Sequence, residues 1–413
     1  MSDRRVVVTG MGVVTPLGCT VETFWDNLIA CKSGITPVDT FDCSQFDVRI
    51  GGACSDFDPT IVIDPKAARR MDRFSQMALL AAHEAVRQSG IDFNRVDAPR
   101  VGCIIGSGIG GIKELEDQYA RLLQKGPGKV SAFTIPKLMV NAAAGNLSIA
   151  FGAKGPSQAV STACASASNA VGDAMEMIRR NQADVILAGG SEAALTPLGL
   201  SAFAAMKALS TRNDDPAAAS RPFDRGRDGF VLSEGAGVFV LEELSHAEKR
   251  GALILAEVAG FGSSADAEHL TQPHEDGEGA IQAMQAAIKD AHLSPQDIDY
   301  INAHGTATPL GDVAEACAIN RVFGPAADRI AVSSTKSSIG HLLGASGAVE
   351  LVASIMAIRG SVAPPTINLD DPDERCAVRH VANRPQDMRI TRVISNSFGF
   401  GGHNACIVVS KFP

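Results

Sequence analysis

Four stretches of the chain combine reactive side chains with the kind of backbone that reactive chemistry needs. Ser161-Thr-Ala-Cys-Ala-Ser-Ala-Ser168 sets a thiol at the junction of a short strand and an Ala/Ser-rich helix. There the unpaired N–H groups and positive helix end are expected to stabilise a thiolate, lowering Cys164 from the ordinary thiol value of about 8.5. The same N–H groups would hold an oxyanion. From these residues alone, a structural role for Cys164 at a tight helix crossing is equally open. Asn302-Ala-His-Gly-Thr-Ala-Thr-Pro-Leu-Gly-Asp312 sets His304 at the end of a predicted strand, where α/β sheets gather ligands, although a lone histidine there also has structural uses. Ser333-Ser-Thr-Lys-Ser-Ser-Ile-Gly-His-Leu-Leu-Gly-Ala-Ser-Gly347 carries Lys336 and His341, and Glu350 follows on the next helix. Because an unpaired buried ammonium is costly, Glu350 is the expected partner of Lys336. Ser395-Asn-Ser-Phe-Gly-Phe-Gly-Gly-His403 flanks Phe398 and Phe400 with glycines that let N–H groups face a ligand, or simply turn one core strand into another.

A fifth stretch, Gly106-Ser-Gly-Ile-Gly-Gly111, matches the dinucleotide-binding spacing after a predicted strand. It reads as coincidence. The loop lies far from the first βα turn, and no acidic residue ends a strand about 20 residues later. Nine cysteines occur without any Cys-x-x-Cys pair, which favours free thiols in a reducing compartment over disulfides or a zinc site.

The elements that must position these residues follow α/β grammar. Val6–Thr9, Val101–Ile105, Val185–Ala188 and Val238–Leu241 are predicted strands, with helix-period segments between several of them, and small-residue helices at Ala163–Arg180 and Leu343–Arg359 follow the short strands that end at Ser161 and Ser333. The pattern repeats. Val8-Thr-Gly-Met-Gly12 resembles Val258-Ala-Gly-Phe-Gly262, Cys103–Gly108 loosely resembles Tyr300–Gly305, and Val160-Ser161 resembles Val332-Ser333, in the same order. This predicts an internal duplication with its seam near Arg250–Ala256, giving halves 1–252 and 253–413 whose helix N-termini meet at a pseudo-twofold crevice.

Composition narrows the function further. The chain has 413 residues, 45% hydrophobic and 20% charged, with 40 Gly against one Trp and two Tyr, so disorder and fibrous repeats are excluded. A net charge of -9 argues against nucleic-acid binding. No secretory signal or membrane-length apolar run is apparent, so a cytoplasmic protein is expected.

One cysteine, two histidines and a lysine, Cys164, His304, Lys336 and His341, together resemble the site of the β-ketoacyl-acyl carrier protein synthases of the thiolase superfamily. The resemblance runs from Val6-Val-Val-Thr-Gly10 through the Ser395–Gly402 motif and is nearest to the type II elongating synthases. It implies a duplicated, layered α-β-α-β-α fold and a decarboxylating condensation through an acyl-cysteine. Cys164 would be the nucleophile, and the N–H groups of Cys164 and Phe400 the oxyanion hole. His304 and His341 would hold the malonyl thioester carbonyl, Lys336 and Glu350 would orient the network, and Thr306 and Thr308 would support it. Phe400, with Phe398, would gate the thiol, and Ile109 and Phe203 would line the acyl tunnel. Asn302, Glu350, Ser395 and Asn396 match positions that surround a structural monovalent cation in relatives. No catalytic metal or resident cofactor is implied; phosphopantetheine arrives on the carrier protein. His403 stands where many bacterial relatives have Thr.

The implied partners are an acyl carrier protein and a second copy of the chain, paired through Gln158–Ser161. A carrier protein is acidic, so local cations must attract it against the overall field. Lys66-Ala-Ala-Arg-Arg-Met-Asp-Arg73 is the candidate patch, chiefly Lys66, Arg69 and Arg70, with Lys207 and Arg212 as lesser additions. The alternatives are a polyketide ketosynthase, a non-catalytic chain-length partner, which Cys164 disfavours, and a nicotinamide oxidoreductase resting on the Gly106 loop.

Overall fold

The computed structural model describes residues 4–413. The first half supplies β1 (Val6–Val14), α1 (Arg73–Ser89), β2 (Val101–Gly106), α2 (Ala142–Phe151), β3 (Ser157–Val160), α3 (Ser166–Arg179), β4 (Val185–Glu192) and β5 (Gly235–Glu243). The second supplies β6 (Ala256–Ala265), α4 (Glu278–Asp290), β7 (Tyr300–Asn302), α5 (Gly311–Phe323), β8 (Ala331–Ser333), α6 (Ser346–Gly360), β9 (Arg392–Gly399) and β10 (His403–Ser410). All ten strands join one sheet in the order β8-β7-β9-β10-β6-β1-β5-β4-β2-β3. Each half therefore repeats one strand order, and the two meet where β1 pairs antiparallel with β6, Val6 opposite Val258. The three resemblances noted in the sequence fall on β1 and β6, β2 and β7, and β3 and β8.

The strands read as continuous apolar runs because both faces are buried. On β4, Ile186 and Ala188 face a central core while Val185 and Leu187 face an outer one. On β10, Ile407 and Val409 face the same central core, and Cys406 and Val408 the outer core of the second half. Residues of α3 and α6 fill the centre. The outer cores take α1 and α2 on one side, α4 and α5 on the other. The result is five layers, helix, half-sheet, helices, half-sheet, helix, with the two half-sheets continuous through the β1–β6 pair. Sequence inspection finds no membrane-length run, yet the segment Leu343–Gly360 is long and apolar enough to span a bilayer; 83% of it is buried as the central-layer helix.

The repeated Gly-x-Gly has a mechanical reason. A Cβ on Gly10 would lie 2.0 Å from the Ala85 carbonyl oxygen and one on Gly12 2.1 Å from that of Ala81. At Gly260 and Gly262 the corresponding approaches are 2.4 Å to Ala287 and 2.2 Å to Ala283. In each half, two alanines one helical turn apart let the outer helix rest directly on the strand backbone. Gly12→Ala and Gly262→Ala are therefore expected to destabilise the protein by about 1–3 kcal/mol each through overpacking, read as a lowered Tm in calorimetry; unchanged Tm in both would contradict the close approach.

Candidate active site

Cys164 sits where β3 runs into α3, on a turn rather than in the helix. Ala163 takes φ 49°, a left-handed conformation unusual for a side-chain-bearing residue, and the helix begins at Ser166. The turn aims the sulfur into a cleft of about 410 Å³. On the far side, the β9–β10 hairpin turns through Gly401 and Gly402, with φ 81° and 73°. A Cβ at Gly399 would lie 3.0 Å from the Cys164 nitrogen. This approach sets the Phe400 N–H, together with that of Cys164, against the sulfur.

The thiol is not the lowered one that the helix terminus predicts. Burial pushes Cys164 up to about 12, against the opposing pull of Lys336 and the Phe400 N–H. Desolvation outweighs the helix end because Cys164 is only 7% exposed and lies ahead of the helical turn.

His341 comes from the other half. Its backbone is held by the first half, with its N–H donating to Val231 O at 2.8 Å and its carbonyl accepting from Ser233 at 3.0 Å. Its Nε2 lies 3.0 Å from Cys164 Sγ. On the opposite edge, Nδ1 accepts from the Leu343 N–H at 3.3 Å and meets the Ser346 hydroxyl at 2.9 Å. That hydroxyl oxygen already accepts from Leu342 at 3.0 Å, so its hydrogen is free for Nδ1. With donors at Nδ1, the imidazole hydrogen resides on Nε2.

His304 reaches the same tautomer by another route. Lys336 Nζ stands 3.5 Å from its Nδ1, and an ammonium can only donate, so Nδ1 accepts and Nε2 carries the hydrogen. Lys336 itself is ion-paired with Glu350, both fully buried. The two rings lie 5.4 Å apart, edge to face. Burial, and after it the Lys336 charge, hold both imidazoles well below their ordinary 6.5. The site thus presents two neutral N–H donors beside a thiol and two backbone N–H groups.

The remaining candidates divide. Thr306 and Thr308 line the cleft, their hydroxyls 3.1 Å apart, as do Phe398 and Phe400. Ile109 and Phe203 do not line it; they lie in the apolar cluster that also contains Cys164. Phe203 is one aromatic removed, edge-on to Phe230, which is itself edge-on to His341. Lys66, Arg69 and Arg70 are exposed but do not line the cleft, whereas Lys207 does. Arg73 leaves the patch to pair with Glu234 at 2.6 Å. His403 is exposed beside the hairpin turn.

Among the described residues, Asn302 Oδ1, Glu350 Oε2 and Ser395 Oγ are buried oxygens without hydrogen-bond partners. Ser395 pairs with Asn302 in the β9–β7 ladder. Such an oxygen set with one carboxylate fits a hard monovalent cation. The Asn396 side chain is committed elsewhere, donating to Glu315 at 3.1 Å and accepting from the Cys406 thiol at 3.2 Å.

Two carboxylates escaped the sequence reading. Glu315 accepts the N–H groups of His304 at 2.8 Å and Gly305 at 2.7 Å and so fixes the backbone under His304. Glu192, at the end of β4, accepts from Gly108 at 2.6 Å, Ile109 at 3.2 Å and Gly110 at 3.3 Å, and from Gly344 of the other half at 3.1 Å. A protein carboxylate therefore takes the N–H groups that a pyrophosphate would need, which is why the glycine loop is no nucleotide site.

The family model described as "Beta-ketoacyl synthase, N-terminal domain" matches residues 3–247, and that for the C-terminal domain matches residues 255–370. The chain is 51% identical over 411 residues to "3-oxoacyl-[acyl-carrier-protein] synthase 2" of Coxiella burnetii, covering 100% of this chain and 99% of the relative. The protein of the same name from Synechocystis is 48% identical over 412 residues, with 100% and 99% covered. Among solved structures, a β-ketoacyl synthase from Burkholderia phymatum superposes with a TM-score of 0.92 at 36% identity, covering 99% and 100%. A ketosynthase from a type II PKS, in complex with its acyl-carrier protein and bound to the hexaketide, gives 0.93 at 34%, with both chains fully covered.

Since the folded imidazoles titrate below the unfolded value of 6.5, the unfolded chain binds more protons there. Their contribution to stability is present above about 6.5 and is lost as pH falls further. Any rate that needs both imidazoles neutral should accordingly hold level from about pH 8 to about pH 6.5 and fall only below that. Lys336→Met, which removes a charge that lowers both rings, should move the acid limb upward; a wild-type limb at 6.5, or no movement in the variant, would contradict this origin.

Proposed function

The chain belongs to the β-ketoacyl synthase family, and from that premise we propose that it condenses an acyl group with malonyl-carrier protein to elongate fatty acyl chains. The observation that carries the proposal is the contact of His341 Nε2 with Cys164 Sγ at 3.0 Å, with the His304 ring beside it in a cleft open to a carrier-borne arm.

In the first half-reaction, Cys164 Sγ adds to the acyl thioester carbonyl. The N–H groups of Phe400 and Cys164 receive the oxyanion. The pantetheine thiolate departs and takes up the proton that the Cys164 thiol gives, so thiol plus thioester yields thioester plus thiol. Because the thiolate rather than the thiol is the nucleophile, the Cys164 proton must pass to the departing pantetheine sulfur as Sγ attacks, and the His341 Nε2–H is placed to stabilise the negative charge that Sγ develops. In the second, the malonyl thioester carbonyl binds between the two Nε2–H groups. As the C–C bond to the carboxylate breaks, carbon dioxide leaves and the electron pair becomes an enolate on that oxygen. Neutral donors stabilise it without handing over a proton. The enolate carbon attacks the acyl carbonyl on Cys164, the oxyanion returns to the same two N–H groups, and the cysteine sulfur leaves and takes one proton from solvent. The products are 3-oxoacyl-carrier protein, carbon dioxide and the free thiol. Lys336 and Glu350 touch neither substrate; they position His304. No resident cofactor enters the scheme.

The curated relatives at about half identity favour fatty-acid elongation over polyketide assembly, which the neighbouring polyketide ketosynthase keeps as the second reading. An acyl carrier protein is the partner this reading requires. Lys207 at the cleft and exposed Lys66, Arg69 and Arg70 would offer it cations. A homodimer is supported by β3, which is an edge strand with exposed Ser157 and Gln158. Tyr119, Phe133, Ile135 and Ile149, in the same half, are exposed apolar side chains that a partner surface would cover. Nine free thiols suit the cytoplasm.

Incubation with acyl-carrier proteins and intact-mass detection tests the scheme. Cys164→Ala should lose acyl loading by roughly three orders of magnitude or more, yet still release carbon dioxide from malonyl-carrier protein, since both imidazoles remain; loading at a second residue or normal condensation would overturn it. Reversing charge at Lys66, Arg69 and Arg70 should raise KM for carrier-bound acyl groups by about tenfold while sparing small acyl thioesters; equal effects on both would remove the patch assignment.

A further inference from the structure

The glycine loop that bears Ile109 is gripped from two sides. Glu192 holds the N–H groups of residues 108–110 from one side. On the other, the Gly111 N–H donates to Leu138 O at 3.0 Å. The approach there is tight: a Cβ on Gly110 would fall 2.9 Å from that oxygen, and one on Gly111 2.6 Å from the Lys137 oxygen. Residues 137 and 138 are thus laid against the loop with no room for either party to shift inward.

What fixes residues 137 and 138 is less ordinary. They end a five-residue helix, Thr134–Leu138, that has no side-chain cap, and Ile135 in it is 60% exposed. Such a helix has little stability of its own. Its inward tie is the ion pair from Lys137 to Glu114, whose side chains are 17% and 3% exposed. Glu114 lies in the first turn of the helix Ile112–Lys125, directly after the glycine loop. Its N–H donates to Asp72 Oδ2 at 3.0 Å, and Asp72 is also buried. Lys137 therefore faces two buried carboxylates, which repel one another without it. A second tie, the Arg70 guanidinium 5.1 Å over the Phe133 ring, acts at the helix's other end and at the surface.

We propose that the Lys137–Glu114 pair is a positioning contact for acyl-chain length: it holds residues 137 and 138 against the Gly106–Gly111 loop and thereby fixes Ile109 against the apolar cluster that contains Cys164. The inference rests on the reading of Ile109 as part of the acyl-binding wall. Breaking a buried pair by removing one partner leaves an uncompensated charge, and relief comes by displacement of the segment or entry of water. The loop then loses its outer wall, Ile109 yields, and longer chains gain access to Cys164.

The test is the ratio of Cys164 loading rates with hexadecanoyl- and octanoyl-carrier protein, by intact mass, on the full-length protein. Lys137→Met should raise that ratio by roughly tenfold, the scale on which a small change in an apolar pocket discriminates, with octanoyl loading within about twofold of wild type. Lys137→Arg, which keeps the cation, should retain the wild-type ratio. Ile109→Ala separates the two layers of the argument. If it shifts the ratio and Lys137→Met does not, or if Lys137→Met slows both chains equally, the positioning role is overturned. If Ile109→Ala leaves the ratio unchanged, the wall assignment itself fails and takes the inference with it.

Discussion

Lys336 carries a positive charge into a region of the protein that water does not reach, and the behaviour of the site follows from how that charge is accommodated. Glu350 neutralises it; both side chains are essentially unexposed. Removing one member of such a pair typically costs about 3–5 kcal/mol, so the arrangement is rigidly enforced. The ammonium then presents a donor to His304 Nδ1, and its field, added to burial, keeps both imidazoles neutral. A neutral imidazole with Nδ1 engaged is a hydrogen-bond donor at Nε2 and a poor acid. Those are the properties an enolate needs from its surroundings: stabilisation of the oxygen without protonation of the carbon.

The duplicated fold explains how four groups remote in sequence arrive together. Each half sends a central-layer helix toward the seam, and each is entered through a left-handed residue, Ala163 in one and Leu343 in the other. In the first half the next residue is the nucleophile. In the second it is Gly344, whose N–H is bound by Glu192 from the first half. Equivalent backbone thus serves chemistry on one side and assembly on the other. His341, belonging to the second half by sequence, is strapped by main-chain bonds to residues 231–233 of the first. The contact between His341 and Cys164 is consequently a property of the seam, not of either half.

Much of this was legible in the sequence because it depends on local signals. The β-branched runs gave the strands, the repeated Gly-x-Gly marked both central strands, and the cysteine and histidines stood at strand ends. What the residues alone could not tell was environment. The helix-terminus argument predicts a lowered Cys164 thiol, whereas the folded chain buries the sulfur and raises it; how deeply a group is buried is a non-local quantity. Glu192 and Glu315 were missed for the same reason, since their roles come from N–H groups brought to them by distant loops. The Lys66–Arg73 run looked like one patch of four cations, but Arg73 turns inward to Glu234, a partner 161 residues away.

The protonation state of the two imidazoles is the most direct test. In protein with 15N-labelled histidine, nitrogen NMR at neutral pH should show His304 and His341 both neutral, both carrying the hydrogen on Nε2, and both still neutral at pH 6.5. An imidazolium at His341 at neutral pH, paired with a Cys164 thiolate, would contradict the account, because the site would then begin from a charged acid rather than two neutral donors.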